Sequence, residues 1–334
     1  MKNSFYLFSP GRLSRKDNSL LFTFFNEDTE QEELRYIPIA NTANFYCFGH
    51  LDINSELLTF LGKKGVNFHF FDFYEHYSGS FLSPKDIISG KTIIKQVEFY
   101  IDNTARVWLA KRFIMGAARN MYTNLKYYLR RGKDTTQGIK NIETLYPKLK
   151  DCSDIQEIFG IEGNIRISYY QCFNEILKDF KFEKRIKNPP TDSINSLISF
   201  LNMMCYTLCL DMCHQTPLNS TIGYLHQPSD RRHSLILDIS EVFKPIISDR
   251  VLFTIINKKI VQENDFIEEN NKIYISAKAK RKIIKLWDDK IKETFFHKEL
   301  QKHISYKSLI LNEFHKLQKH ILKEIPYKPF VAWW

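Results

Sequence analysis

Over residues 1 to about 82 the apolar positions come in short runs. FYLF, SLLFTFF, RYIPIA, NFYCFG and VNFHFFDF are rich in Phe, Tyr, Ile and Val, and SPGR, KDN, GKKG and YSGS divide them. Runs of that composition between turn formers predict strands. One stretch breaks the rhythm. In INSELLTFLGKKG, Leu57, Leu58 and Leu61 recur at helical spacing and Gly62 follows, which predicts a short helix with a glycine stop. From about residue 94 the period becomes helical. Ile94, Val97, Ile101, Val107, Ala110, Ile114, Ala117, Met121, Leu125 and Tyr128 suit one buried face of a single helix ending near Arg131 and Gly132. Further helices are predicted near 154–182, 191–214, 236–250, 277–301 and 305–323. FIEENNKIYIS reads as a hairpin turning at Asn270 and Asn271. The fold class is therefore α+β. A β-rich domain over 1–82 is followed by a linker at 83–93, containing SPKDIISGK, and a larger all-α domain over 94–334.

Composition agrees with a folded chain of that size. Of 334 residues, 43% are hydrophobic and 26% charged, which excludes a disordered chain. The net charge of +10 favours an anionic partner, such as nucleic acid or an anionic membrane, although basic charge alone is weak evidence. Its distribution says more. Between Asn103 and Lys133 lie eight basic residues, Arg112, Arg119 and Arg130 among them, and no acidic one. A solvated helix usually mixes signs, and a one-signed face repels itself unless phosphate neutralises it. The six cysteines contain no C-x-x-C, so reduced thiols in a cytoplasmic protein are expected. The N-terminus has no apolar core of a signal peptide. SLISFLNMMCYTLCLDMC is interrupted by Asn202 and Asp211 and reads as a buried helix, not a membrane span.

No P-loop, dinucleotide fingerprint or nucleophile elbow occurs. Cys205, Cys209 and Cys213 fall on one helical face beside His214, where packing as small hydrophobes outweighs a metal site. Glu162, in FGIEGNIRISYYQCF, is either a helix-start acid favoured by the dipole or a buried, paired one, and position alone favours the former. Gly163 beside it costs about 1 kcal/mol relative to alanine in a helix, which makes sense where something approaches the backbone. His226 sits in a turn between Gly223 and Pro228. Asp238 and Glu241 share a helix face, either as first-turn acids or as ligands. Together, one imidazole and two or three carboxylates suit Mg2+ or Mn2+, with Arg231, Arg232, His233 and Lys244 placed to hold phosphates. The residues alone reach a basic two-domain nucleic-acid-binding protein with a candidate metal site.

GRLSRKDNSL, FGHLDINSELLTFLGKKGVNFHFFD and SGSFL, then GIEGNIRISYY, RIKNPPTDSINSLISFLN and IGYLHQPSDRRHSLILDISEVFKP, and finally SYKSLILNEFHKLQKHILKEIPYKPFVAWW follow one another along the chain. In that order they resemble the CRISPR-associated adaptation integrase and endonuclease family, the first-numbered Cas protein, in versions from type I-B systems. The resemblance implies a β-rich dimerisation domain, a helical catalytic domain and a homodimer. It also implies a small ferredoxin-like partner, the second-numbered Cas protein, and leaves open an additional nuclease partner. The activity implied is insertion of new spacers into the CRISPR array. A 3′-hydroxyl of incoming double-stranded DNA attacks a phosphodiester of the repeat, with Mg2+ or Mn2+. The family's metal-binding residues fall on Glu162, His226 and Glu241, a position where some members carry Asp. Asp238 and Asn195, the latter in PPTDSINS, match supporting positions. The competing readings are a plain metal-dependent nuclease acting on DNA or RNA, and a non-catalytic basic scaffold.

Overall fold

The computed structural model describes the chain apart from residues 1–2, 27–28, 73–75, 85–87, 178–179, 187–188, 231, 270–271 and 334. It divides into two compact units, Met1–Asp86 and Ile87–Trp334.

The first unit runs β1 (Asn3–Leu7), β2 (Gly11–Lys16), β3 (Ser19–Asn26), β4 (Gln31–Pro38), β5 (Thr42–Cys47), β6 (Leu51–Asp52), α1 (Ser55–Lys63), β7 (Asn67–Phe71) and β8 (Tyr77–Phe81). Two four-stranded sheets form, ordered β1-β5-β7-β8 and β4-β3-β2-β6. The first is parallel through β1, β5 and β7, with β8 antiparallel. Leu13, Leu20, Ile37, Phe45, Phe68 and Val66 close its core together with Leu57 and Leu61 of α1. α1 runs through Gly62, and its stop is Gly65, whose φ of 68° a side chain would resist. YSGS is strand and not turn, because Phe70 and Phe71 of β7 pair across to Gly79 and Tyr77.

The second unit contains α2 (Gly90–Ile101), α3 (Asn103–Leu129), α4 (Thr136–Leu145), α5 (Ile155–Gln171), α6 (Phe173–Ile176), α7 (Ser193–His214), α8 (Ser234–Phe243) and α9 (Ser248–Asn257). β9 (Phe266–Glu269), β10 (Lys272–Ile275), α10 (Ala277–Lys292), β11 (Thr294–His297), β12 (Lys302–Ser305) and α11 (Tyr306–Ile321) complete it. β9 and β10 pair as the expected hairpin, whose Asn270–Asn271 tip lies outside the described residues. The segment read as linker to residue 93 is already helical from Gly90.

The single helix expected after residue 94 is broken at Asp102, whose carboxylate caps Ala105 N–H at 3.0 Å and starts α3. Its apolar stripe breaks with it. Ile94 and Ile101 are 61% and 75% exposed, and α2 instead buries Gln96, which clamps Asn219 through both amide atoms. The helix expected over 236–250 splits into α8 and α9 at Pro245, which has no N–H to donate. α10 gives way at Thr294 to a β11–β12 hairpin, and α4 was not anticipated.

α3 forms the spine of this unit, packed on α4, α5 and α8. The C-terminal tail is strapped along it. Asn120 donates to Val242 and Phe330 carbonyls and accepts from Ala332 N–H. Pro329 lies so near Gly116 that an added Cβ would stand 2.6 Å from its ring. α7 is long and apolar enough to cross a membrane, but 78% of its apolar window is buried within the fold.

Candidate metal and nucleic-acid site

α5, α7, α8 and the loop before α8 enclose a cavity of about 670 Å³, lined by Glu162, Arg166, Arg185, His226, Glu241 and Lys244 among others. α5 starts at Asp154, which caps Glu157 N–H at 2.9 Å. Glu162 therefore lies in mid-helix, and its reading as a helix-start acid is overturned. One turn on, Arg166 donates from Nε to Glu162 Oε1 and from Nη2 to Glu241 Oε2. Lys244 Nζ takes the other Glu241 oxygen at 2.7 Å. Carboxylates of two helices thus converge on one guanidinium. Burial works against the Arg166 charge, but Glu162, Tyr170 and Asp249 together hold it above its ordinary value. Burial, reinforced by Arg166, pushes the Lys244 ammonium down to about 8.

His226 arrives from the other side. Gly223 lets its loop press on the start of α8, since a Cβ there would lie 2.6 Å from the Ser234 backbone. Asp238, fully buried, then organises the loop. Its Oδ2 accepts from Tyr224 and Leu225 N–H at 2.6 and 3.1 Å, and its Oδ1 from His226 N–H at 2.9 Å. The same Oδ1 meets His226 Nδ1 at 2.8 Å. The buried carboxylate makes Nδ1 the protonated nitrogen, and the lone pair is left on Nε2. Phe159 braces the ring edge to face at 5.6 Å. Asp238 and Glu241 share a helix but divide the work: one holds the loop, the other lines the cavity.

The donors fit a divalent ion in kind: two carboxylates, and an imidazole in the tautomer that ligating histidines adopt against a carboxylate. As they stand, no three His, Cys, Asp or Glu side chains among the described residues are grouped to hold an ion. Arg166 bridges the two glutamates instead.

Other candidates fall around this centre. Asn195 is buried and does not line the cavity. Its Oδ1 accepts from Arg185 Nη1 at 2.8 Å and Ile186 N–H at 2.9 Å, which fixes Arg185 at the cavity wall. His233 spends Nδ1 on Ser220 Oγ at 2.9 Å, a bond that ties the loop to α8. Arg232 is exposed, and Arg231 lies outside the described residues. Arg112 stacks on Trp108 and Arg119 on Tyr146, and Arg130 is exposed at the end of α3. None of these three lines the cavity. Two other basic residues of α3 are committed internally: Arg106 to the Tyr224 carbonyl and Lys111 to the Lys150 carbonyl. Apart from its chain neighbours and its own helix's nearby backbone, no atom of the described residues comes within 4 Å of where a Gly163 Cβ would stand, so that wall is left open. The six cysteines are buried, and none forms a disulfide among the described residues.

Sequence reasoning missed Arg166, Asn202 and Asp249. Arg166 had a signal, its i,i+4 spacing from Glu162. Asn202 lines the cavity with a buried Oδ1 that has no partner among the described residues. Asp249 is buried behind the cavity, where Tyr169 donates to it at 3.0 Å. Burial pushes its carboxyl from the ordinary 3.8 up to about 6. Stability from such a group is full below about pH 4 and lost as pH rises through 6. Asp249→Asn is therefore expected to stabilise the protein at pH 8 by up to about 3 kcal/mol, and not at pH 4. Denaturant unfolding at both pH values checks this; an equal shift at both would contradict it.

A sequence model of the family described as CRISPR associated protein Cas1 matches residues 5–289. The Cas1 endonuclease of Fusobacterium nucleatum is 44% identical over 100% of this chain and 98% of its own. The chain belongs to the Cas1 family. A second Cas1 endonuclease, from Thermodesulfovibrio yellowstonii, is 43% identical over the whole of both chains. The structure of a Cas1 protein from Thermotoga maritima superposes with a TM-score of 0.86 at 34% identity, covering 98% of this chain and 99% of that one. A casposase, described as bound to integration product, shares the Cas1 fold at TM-score 0.90 and 20% identity over 99% and 94% of the two chains.

Proposed function

We propose that this Cas1 chain is a metal-dependent DNA integrase and endonuclease, of a type I-B system, that inserts new spacers into a CRISPR array. One observation carries the reading. Glu162 of α5, Glu241 of α8 and His226, its Nδ1 held by buried Asp238, line one cavity whose other charged walls are cationic Arg166, Arg185 and Lys244, with Glu183 and Lys184 beside them. Glu162, Glu241 and His226 Nε2 would hold Mg2+ or Mn2+, which when bound supplies Lewis-acid stabilisation of charge on the phosphate. The chain's own residues do the rest. Arg185 and Lys244 receive phosphate oxygens, and Asn195 keeps Arg185 in position. Arg112, Arg119, Arg130 and Arg232 run along duplex backbone outside the cavity, with Arg231 and His233 beside them in sequence, and make binding steeply salt-dependent.

The partners are double-stranded DNA, incoming and target, and the small second-numbered Cas protein. A structural neighbour is described as a Cas6-RT-Cas1–Cas2 complex. The setting is cytoplasmic. The β-rich unit supplies a homodimer surface: Phe25, Leu34 and Tyr36, from β3 and edge strand β4, are 55%, 63% and 57% exposed. Such an apolar edge is unusual on a monomer. Leu34→Lys with Tyr36→Lys is expected to shift the protein from dimer to monomer in sedimentation equilibrium; an unchanged dimer would place the interface elsewhere.

The test of function mixes the protein with its small partner, a labelled duplex with 3′-hydroxyls and a supercoiled plasmid carrying the repeat. Label should join the plasmid with Mg2+ or Mn2+ and not with EDTA. Cutting without joining would make the protein a plain nuclease, with water as the nucleophile at the same site.

A further inference from the structure

Arg166 stands where the reading above needs a metal ion. Two of its nitrogens donate to one oxygen of each of the glutamates assigned to that ion, Glu162 one turn away on α5 and Glu241 75 residues further along the chain on α8. With its side chain 20% exposed and Glu241 only 9% exposed, the pairing is shielded from solvent screening. We propose that Arg166 is a built-in substitute cation. It holds the glutamates together in DNA-free protein, competes with the divalent ion for them, and transfers its guanidinium to a DNA phosphodiester when ion and DNA load together.

Charge balance forces the exchange. The cavity wall carries three carboxylates, Glu162, Glu183 and Glu241, against four cations, Arg166, Lys184, Arg185 and Lys244. A divalent ion added to this set leaves a large positive excess in a half-enclosed space unless an anion enters with it. A phosphodiester is that anion. A guanidinium freed from carboxylates is well matched to it, because its planar fork binds phosphate oxygens in pairs. Metal and DNA are then thermodynamically coupled through Arg166, each raising affinity for the other by the same factor. Entry of an ion without DNA is opposed, which limits metal-driven cutting when no incoming DNA is bound.

The inference rests on the metal-site reading, and Mn2+ binding tests the two separately. Free Mn2+ is measured by electron paramagnetic resonance on the full chain, with and without a short duplex. Wild type is expected to bind Mn2+ weakly alone and about tenfold or more tighter with duplex. Arg166→Gln is expected to bind Mn2+ about tenfold tighter than wild type without duplex and to lose most of the coupling. Arg166→Lys keeps the charge but cannot reach both glutamates, and should fall between; it serves if the glutamine variant does not fold. Unchanged or weaker Mn2+ binding by both variants without duplex, while Glu162→Gln still abolishes wild-type binding with duplex, would overturn the inference and leave the metal site standing. Absence of any Glu162-dependent Mn2+ binding in every arm would overturn both.

Discussion

Glutamine at Glu162 is expected to lower the joining of labelled duplex to the repeat plasmid by about a thousandfold, with duplex binding nearly unchanged. The substitution keeps the side chain's length and an amide oxygen that can still accept from Arg166 Nε. What it removes is one negative charge from a cavity where Glu162 and Glu241 face Arg166 and Lys244. Two cations against one remaining anion cost about 1–2 kcal/mol of stability, too little to unfold the domain. Activity and folding therefore separate cleanly, and thermal unfolding run beside the joining assay reads the difference. If Glu162→Gln joins DNA as wild type does, the acids of this cavity are structural and the scaffold reading gains. If joining and cutting fail together while binding persists, one site serves both.

Much of this was legible in the sequence because the signals were local. The strands of the first unit announced themselves by composition, and the buried face carrying Cys205, Cys209 and Cys213 by spacing. What failed was long-range. Ile94, Val97 and Ile101 look like a buried stripe, yet Gln96 on the opposite face makes the bonds that decide how α2 is oriented. No periodicity reports that Asn219, far along the chain, waits for it. Pro245 marks a break that was overlooked in favour of the apolar pattern on either side. The site shows the same division. Glu162, His226 and Glu241 were marked by residue type and resemblance, and the fold brings all three to one cavity. Arg166 was passed over because an arginine on a basic protein's helix is unremarkable until two carboxylates are seen to share it. Asp249 carried no signal at all: its burial is set by tertiary packing.

At Asp238 a substitution that leaves the shape nearly unchanged is expected to lower both metal affinity and joining. Its two oxygens each accept two hydrogen bonds, and all four donors belong to the Tyr224–His226 segment. An amide offers one accepting atom, so Asp238→Asn must turn an NH2 toward donors on one side. If that side is Oδ2, the Tyr224 and Leu225 N–H groups are left buried and unmet, at about 1–3 kcal/mol each. If it is Oδ1, the His226 N–H is left unmet, and His226 Nδ1 must accept instead of donate, so that the ring proton moves to Nε2, the nitrogen assigned to the metal. Either orientation damages the site, one through the loop alone and the other through the loop and the tautomer. Mn2+ affinity and joining are both expected to fall by about 10–100-fold, and Asp238→Ala should cost about 3–5 kcal/mol in unfolding free energy. Nitrogen chemical shifts of His226 distinguish the routes, since wild type should carry its proton on Nδ1 and a tautomer-switched variant on Nε2. A wild-type ring protonated on Nε2 in the absence of metal would remove Asp238 from this role and leave it as a loop anchor alone.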